Sequence, residues 1–389
     1  MKRSRIVTIV TVLAVWTTYA HADDDRRPPA KQAAPVSALS TKARHDAQAA
    51  IDRGLAFFKA TQRADGGWES MDRSDPAITA MVGKCFIQHK NFGPSHPLVQ
   101  KALALILTFR HDDGGIYTEG LGLRNYYTSV CLMALAAAKD AKYKPHISKA
   151  QSFLKNLQWD EVEDIDESNP WYGGAGYGRN KRPDLSNTQM MLEALKQSGL
   201  PATDPTYKKA LKFIQRCQNL SASNDQAFAR GANDGGFIYT PANNGESKAG
   251  TVMVEGQPRL RSYGSMTYAG FKSYLYADLD RNDPRVRAAL KWIQQHYTLD
   301  HNPNMPNQQS LQGLYYYFHV FARALQAWGE PIIADGKGVR HAWRADLCRK
   351  LISLQNKDGS WVNTEDRWYE SNPMLVTAYA VLALQTALE

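Results

Sequence analysis

The sequence predicts an all-α protein, a toroid in which six helix pairs close into an inner ring of helices inside an outer one. Three observations lead there. A helix-turn plan repeats along the chain, its polar turn carries Asp-Gly in register with the helices, and half-polar helices alternate with helices that are apolar almost all round.

The outer helices come first in each pair. They read "AIDRGLAFFKATQRADGGWES" from Ala50, "VQKALALILTFRHDDGGIYTEG" from Val99, "ALKFIQRCQN" from Ala210 with its "NDGGFIYTP" turn, and "LCRKLISLQNKDGSWVNT" from Leu347. Each places apolar residues at i, i+3, i+4 and i+7 and then breaks at Asp-Gly, where glycine admits positive φ. "ISKAQSFLKNLQWDEVED" from Ile147 follows the same plan with a long acidic insertion before "WYGGAGYG", and "VRAALKWIQQHYTLDHNPN" from Val286 is a sixth copy without the glycines.

The inner helices follow as "DPAITAMVGKCFI" from Asp75, "YYTSVCLMALAAA" from Tyr126, "LSNTQMMLEALKQ" from Leu185, "SMTYAGFKSYLYA" from Ser265, "LQGLYYYFHVFARALQAW" from Leu311 and "PMLVTAYAVLALQTAL" from Pro373. Several open on Asp, Asn or Ser, the residues that cap helix N-termini. A helix apolar all round must be enclosed by its neighbours, so these form the inner ring. An open superhelical array is the alternative, but it needs polar terminal repeats. The last inner helix, "LVTAYAVLALQTAL", is not polar. A single toroid domain over residues 42–389 is expected.

The N-terminal region has a different composition. Lys2, Arg3 and Arg5 precede an apolar run from Ile6 to Trp16 that ends in Ala20-His21-Ala22, the pattern of a cleaved signal peptide over residues 1–22. Residues 23–41, rich in Asp, Arg, Pro, Ala and Ser, cannot bury a core and are expected as a disordered leader. The expected location is therefore exported, either periplasmic or secreted. Removing the three signal cations lowers the net charge from +9 to +6, and no clustered Lys/Arg run remains. Nucleic acid is thus not an expected partner, while peripheral contact with an anionic membrane surface stays open. Cys85, Cys131, Cys217 and Cys348 lie one per segment, which gives no sign of a disulfide scaffold.

The turns "TQRADGGW" and "LQNKDGSW" resemble the repeats shared by squalene and hopene cyclases and by the β subunits of protein prenyltransferases, the terpenoid cyclase/prenyltransferase α/α toroids. The resemblance spans essentially the whole chain after its leader and is similar to one barrel domain of a hopene-cyclase-like protein. It implies an isoprenoid or other hydrophobic ligand in the lumen. It also implies a proton-donating motif, Asp-x-Asp-Asp-Thr, at the start of an inner helix. Here that stretch is Asp184-Leu185-Ser186-Asn187-Thr188: Asp184 and Thr188 match, whereas Ser186 and Asn187 stand where the acid pair belongs. A hydroxyl and an amide cannot protonate an alkene. Asp184 then serves as helix cap or as acid, with Glu193 on the same helix and His319 in "YYYFHVF" as further candidates for catalysis.

Ser186 and Asn187 are expected at the cavity as hydrogen-bonding groups. Tyr126, Tyr127, Trp171, Tyr263, Tyr268, Tyr316 and Trp368 are the expected aromatic ligand contacts, since aromatic faces stabilise cations and stack on sugar rings. The prenyltransferase zinc set is missing from "RSYGSMTYAGFKSYLYA", which has neither Cys nor His. No metal and no other cofactor is expected. Three functions remain open: a cyclase-like protein binding a hydrophobic small molecule and acting, if it catalyses, as an acid-initiated, metal-independent isomerase or lyase; a carbohydrate-active toroid whose glycan would meet two facing carboxylates, drawn from the 160–167 loop, Asp184 and Glu370; and a non-catalytic interaction module with a shallow or filled lumen.

Overall fold

The computed structural model describes residues 39–70 and 72–389. The expected signal peptide and nearly all of the expected leader lie outside the described residues. Twelve α-helices alternate between the two rings. The outer ring contains α1 (Thr41–Thr61), α3 (Pro97–Thr108), α5 (Lys144–Lys155), α7 (Pro205–Arg216), α9 (Pro284–Gln295) and α11 (Trp343–Ser353). The inner ring contains α2 (Pro76–Ile87), α4 (Arg124–Ala137), α6 (Leu185–Gln197), α8 (Gly264–Tyr276), α10 (Leu314–Trp328) and α12 (Pro373–Leu388). Each inner helix packs on the next, and α12 packs on α2. The ring is closed, and its core lies between the two layers.

Each Asp-Gly turn, and the Tyr172-Gly173 turn that takes the same place after α5, is docked onto the following outer helix, and its residues explain how. A Cβ on Gly173 would sit 1.8 Å from the Lys209 carbonyl oxygen of α7, at a backbone φ of +80°. Only glycine fits both demands. Gly359 meets Arg53 of α1 in the same way, with 2.4 Å to its carbonyl oxygen, so the last turn returns to the first helix. A glutamine staples four of these contacts. The Gln158 amide donates to the carbonyls of Gly173 and Thr206, and that of Gln355 donates to Gly359 and Ala50, all within 3.0 Å. Gln62 and Gln218 repeat the arrangement.

The inner helices are tied to the turns by threonines one turn in. Thr79, Thr128, Thr188, Thr267 and Thr377 each accept, at 2.9–3.1 Å, the N–H of the residue that follows the turn: Trp68, Ile116, Ala175, Phe237 and Trp361. Thr188, matched above to a catalytic motif, therefore does what four other inner-helix threonines do. Short antiparallel hairpins decorate the loops. The largest pairs β1 (Thr251–Val254) with β2 (Gln257–Leu260). Its Glu255-Gly256 turn has φ of 49° and 75°, the geometry that a two-residue hairpin favours. Among the described residues, no helix is long and apolar enough to cross a membrane.

Candidate functional site

All connections from an outer to an inner helix lie on one face of the ring, because the inner helices run parallel to one another. The first turns of those helices enclose a cavity of about 400 Å³ there. Ala77 and Ile78 come from α2, Tyr126 and Tyr127 from α4, Ser186 and Asn187 from α6, Ser265 and Met266 from α8, Tyr316 from α10, and Leu375 and Tyr379 from α12. The preceding connections add Asp75, Leu121, Leu123, Tyr177, Tyr239, Tyr263 and the run Trp368-Tyr369-Glu370. The lumen at this end is neither shallow nor filled by side chains.

Seven of the nine expected ligand contacts line this space: Tyr126, Tyr127, Ser186, Asn187, Tyr263, Tyr316 and Trp368. Two do not. Trp171 packs edge-on against Trp159 in the acidic insertion, with ring centroids 5.0 Å apart. Tyr268 is buried against Tyr317 and Phe321, on the side of α8 that faces its neighbours in the wall. Tyr177, Tyr239 and Tyr379 were not among the expected contacts. Tyr177 and Tyr239 sit in connections rather than helices, where periodicity carries no information.

The three expected catalytic residues are dispersed. Asp184 is buried as the N-cap of α6. Its Oδ1 accepts the Asn187 N–H and its Oδ2 the Asn187 side-chain amide, both at 2.8 Å, and the Tyr239 hydroxyl adds a third bond. Burial lifts its pKa to about 6 against these donors. Asn187 stands between it and the cavity, so Asp184 backs the wall and does not line it. Glu193 lies deeper, ion-paired with Lys272 and, at 3.0 Å, with Arg323. Burial pushes its carboxyl up, but the two cations outweigh that and hold it well below the usual carboxylate range. A carboxylate locked in this way does not serve as a proton donor, and Glu193 does not line the cavity. His319 is also buried off the lining. Burial, with help from Lys272 and Arg323, presses its imidazole down to about 3, so it is neutral at ordinary pH.

Glu193 belongs to a charged layer across the far end of the barrel. Lys84 of α2 donates to Gln197, Gln197 to Glu193 at 2.8 Å, and Arg323 reaches the Tyr276 hydroxyl at 3.3 Å. Four inner helices are joined there by paired charges and amides.

Two other carboxyls face the cavity. Asp75 caps α2, accepting the N–H groups of Ala77 and Ile78 at 2.9 Å on one oxygen and the Tyr127 hydroxyl on the other. Burial raises its pKa against those bonds. The signal for it was present in the sequence: Asp75 stands four residues before Thr79, as Asp184 does before Thr188. Glu370 caps α10 from another part of the chain. It accepts the Tyr316 N–H at 2.7 Å, the Tyr315 N–H at 3.3 Å and the Asn363 amide at 2.7 Å, and burial lifts it to about 7. The cap position of α10 itself is Gly313, which has no side chain to offer.

No protein-family model matches the chain, and no curated protein matches it in sequence. Solved structures do match its fold. The chain is similar to the type II terpene cyclase MstE from Scytonema at 14% identity and a TM-score of 0.56, over 88% of this chain and 99% of that one. A D-mannose isomerase matches at 12% identity and a TM-score of 0.58, over 90% and 99%. A possible GH105 member from Salmonella enterica matches at 13% and 0.52, over 96% and 99%. The fold of this chain is therefore the α/α toroid of the terpene cyclases, a scaffold that the D-mannose isomerase and the possible GH105 member share.

Proposed function

We propose that the protein binds an apolar small molecule of isoprenoid type in the cavity at the mouth of the ring. The observation that carries this reading is the lining: all six inner helices and the connections before them converge there with eight tyrosines, a tryptophan and several aliphatic side chains around about 400 Å³. That volume falls within the range of small-molecule sites. A variant of the Scytonema cyclase is known in complex with its substrate, geranylgeranyl dihydroxybenzoate, which supports the ligand class. Tyrosine and tryptophan faces suit both a polyene and a positive charge developing on it.

The catalytic extension of this reading is acid-initiated cyclisation or isomerisation. Ser186 and Asn187 replace the acid pair, so the proton falls to another carboxyl. Glu370 is the best placed, since it lies on the wall and, at about 7, is substantially protonated at neutral pH. Asp184, at about 6 and screened by Asn187, comes second. Both are weak acids by the standard of alkene protonation. We place the protein outside the cytoplasm; N-terminal sequencing of the mature chain checks that.

Native mass spectrometry of the mature protein incubated with a lipid extract, and separately with a polysaccharide panel, tests the reading. A retained isoprenoid, lost on Tyr316→Ala or Trp368→Ala, is the expected result. Retention of no lipid together with shortening of a glycan would overturn it in favour of the sugar chemistry that two of the structural neighbours suggest.

A further inference from the structure

Beneath the aromatic cavity lies a layer of neutral polar groups, between the lining and the charged far end. Its upper edge is made by hydroxyls that meet across the barrel axis. Tyr126 and Tyr379 pair oxygen to oxygen at 3.0 Å, and the Tyr316 hydroxyl lies 3.3 Å from Ser186 Oγ. One helical turn below Ser186 on α6 is Gln189, whose Nε2 donates to the Tyr316 hydroxyl at 3.0 Å. One turn below Tyr316 on α10 is His319, whose ring lies 5.5 Å from that of Tyr379. Gln189 is wholly buried and His319 is 7% exposed.

Each of these two side chains has a polar atom without a partner. Gln189 Oε1 and His319 Nδ1 are both buried and make no hydrogen bond. A buried polar group left unpaired is costly and uncommon, so two of them directly below the cavity floor, one against Tyr316 and one against Tyr379, call for an occupant. The helices α6 and α10 are separated in the ring by α8, and only the axis is common to both. The occupant must offer hydrogen bonds at one end and accept apolar surroundings along the rest, because everything above the layer is largely aromatic or aliphatic. A hydroxyl both donates and accepts, which satisfies the amide in either orientation and the neutral imidazole in either tautomer.

Building on the hydrophobic-ligand reading, we infer that the ligand is an isoprenoid alcohol that enters hydroxyl first, with Gln189 and His319 as the groups that select its polar end. Ser186 and Tyr316 then form a polar collar around the leading carbon. On this account the serine at the motif position has a positive role in recognition.

The test is titration of the full-length protein with farnesol and with farnesene, a hydrocarbon of the same chain length that lacks the hydroxyl, followed by tryptophan fluorescence. Farnesol is expected to bind about tenfold more tightly, the usual consequence of filling or leaving empty a buried hydrogen-bonding site. Gln189→Leu is expected to bring the two affinities within about twofold while leaving that for farnesene unchanged, and His319→Phe to narrow the gap in the same direction. Either variant suffices if the other does not fold. Equal binding of both probes by the wild type, or a preference that survives in both variants, would overturn the alcohol assignment and leave the hydrophobic-ligand reading standing. Binding of neither probe would remove both.

Discussion

Glu370 shows at the level of one residue how burial couples the site to pH. Its ordinary value of 4.5 is lifted to about 7 in the folded chain, because the cavity wall excludes water from its charged form. The folded state therefore holds this proton more tightly than the unfolded state does. Its contribution to stability is fully present below about 4.5 and is lost as pH rises through about 7. With the acid replaced in Glu370→Gln, urea unfolding should show the variant gaining on the wild type by about 3 kcal/mol between pH 4 and pH 8. A flat difference would mean that the group is not titrating in a buried site. Glu370 also marks where reading the sequence runs out: it caps α10 from a connection more than fifty residues further on, a pairing that only the packing of successive helix pairs creates. Asp184, by contrast, was legible as a cap from its place before an inner helix. What could not be read is that Asn187 would take both of its oxygens and turn it away from the cavity.

At the level of the element, the repeated threonine separates scaffold from chemistry. Thr188→Val keeps the side-chain shape and leaves the Ala175 N–H buried without a partner, which costs about 1–3 kcal/mol. Thr79→Val should cost a similar amount, and neither change should alter ligand affinity at the mouth. Chemical denaturation beside a binding titration checks both halves, and a selective loss of binding in Thr188→Val would restore a functional role to that position. The helices themselves were legible because the outer ones are amphipathic and the inner ones are enclosed, so periodicity and composition gave the limits of α6 and α12 residue for residue. The β1–β2 hairpin was missed. "TVMVEGQPRL" is short and largely exposed, so its pairing rests on turn geometry and not on a buried face.

The whole molecule is a ring, and its stability should behave as one. An open array loses a terminal repeat and keeps the rest, since each unit touches only its neighbours. Here α12 is packed against α2, α10, α1 and α11 and is buried along nearly its full length. Removing residues 371–389 exposes the inner faces on both sides of the gap. Such a truncated chain should lose its cooperative thermal transition and bind hydrophobic dyes, and a cooperative transition retained with most of its enthalpy would argue for an open array. The ring form was legible from the count of six pairs and an apolar last helix. The cavity was legible only as a set of aromatic residues, because which tyrosines face the axis depends on helix rotation. Tyr268 and Tyr316 occupy comparable helices, and one is packed in the wall while the other lines the lumen.

Closure also brings the two ends of the toroid together. The Arg44 guanidinium at the start of α1 donates to the Leu388 carbonyl at the end of α12, at 2.6 Å. The order in which the pairs are encoded is then arbitrary to the folded object: a chain rewired to begin at Asp204, run through Glu389 into Ser40 by a short linker and finish at Gly199 traces the same circle. Such a circular permutant should fold to the same cavity, and its ends would lie on the face opposite the mouth.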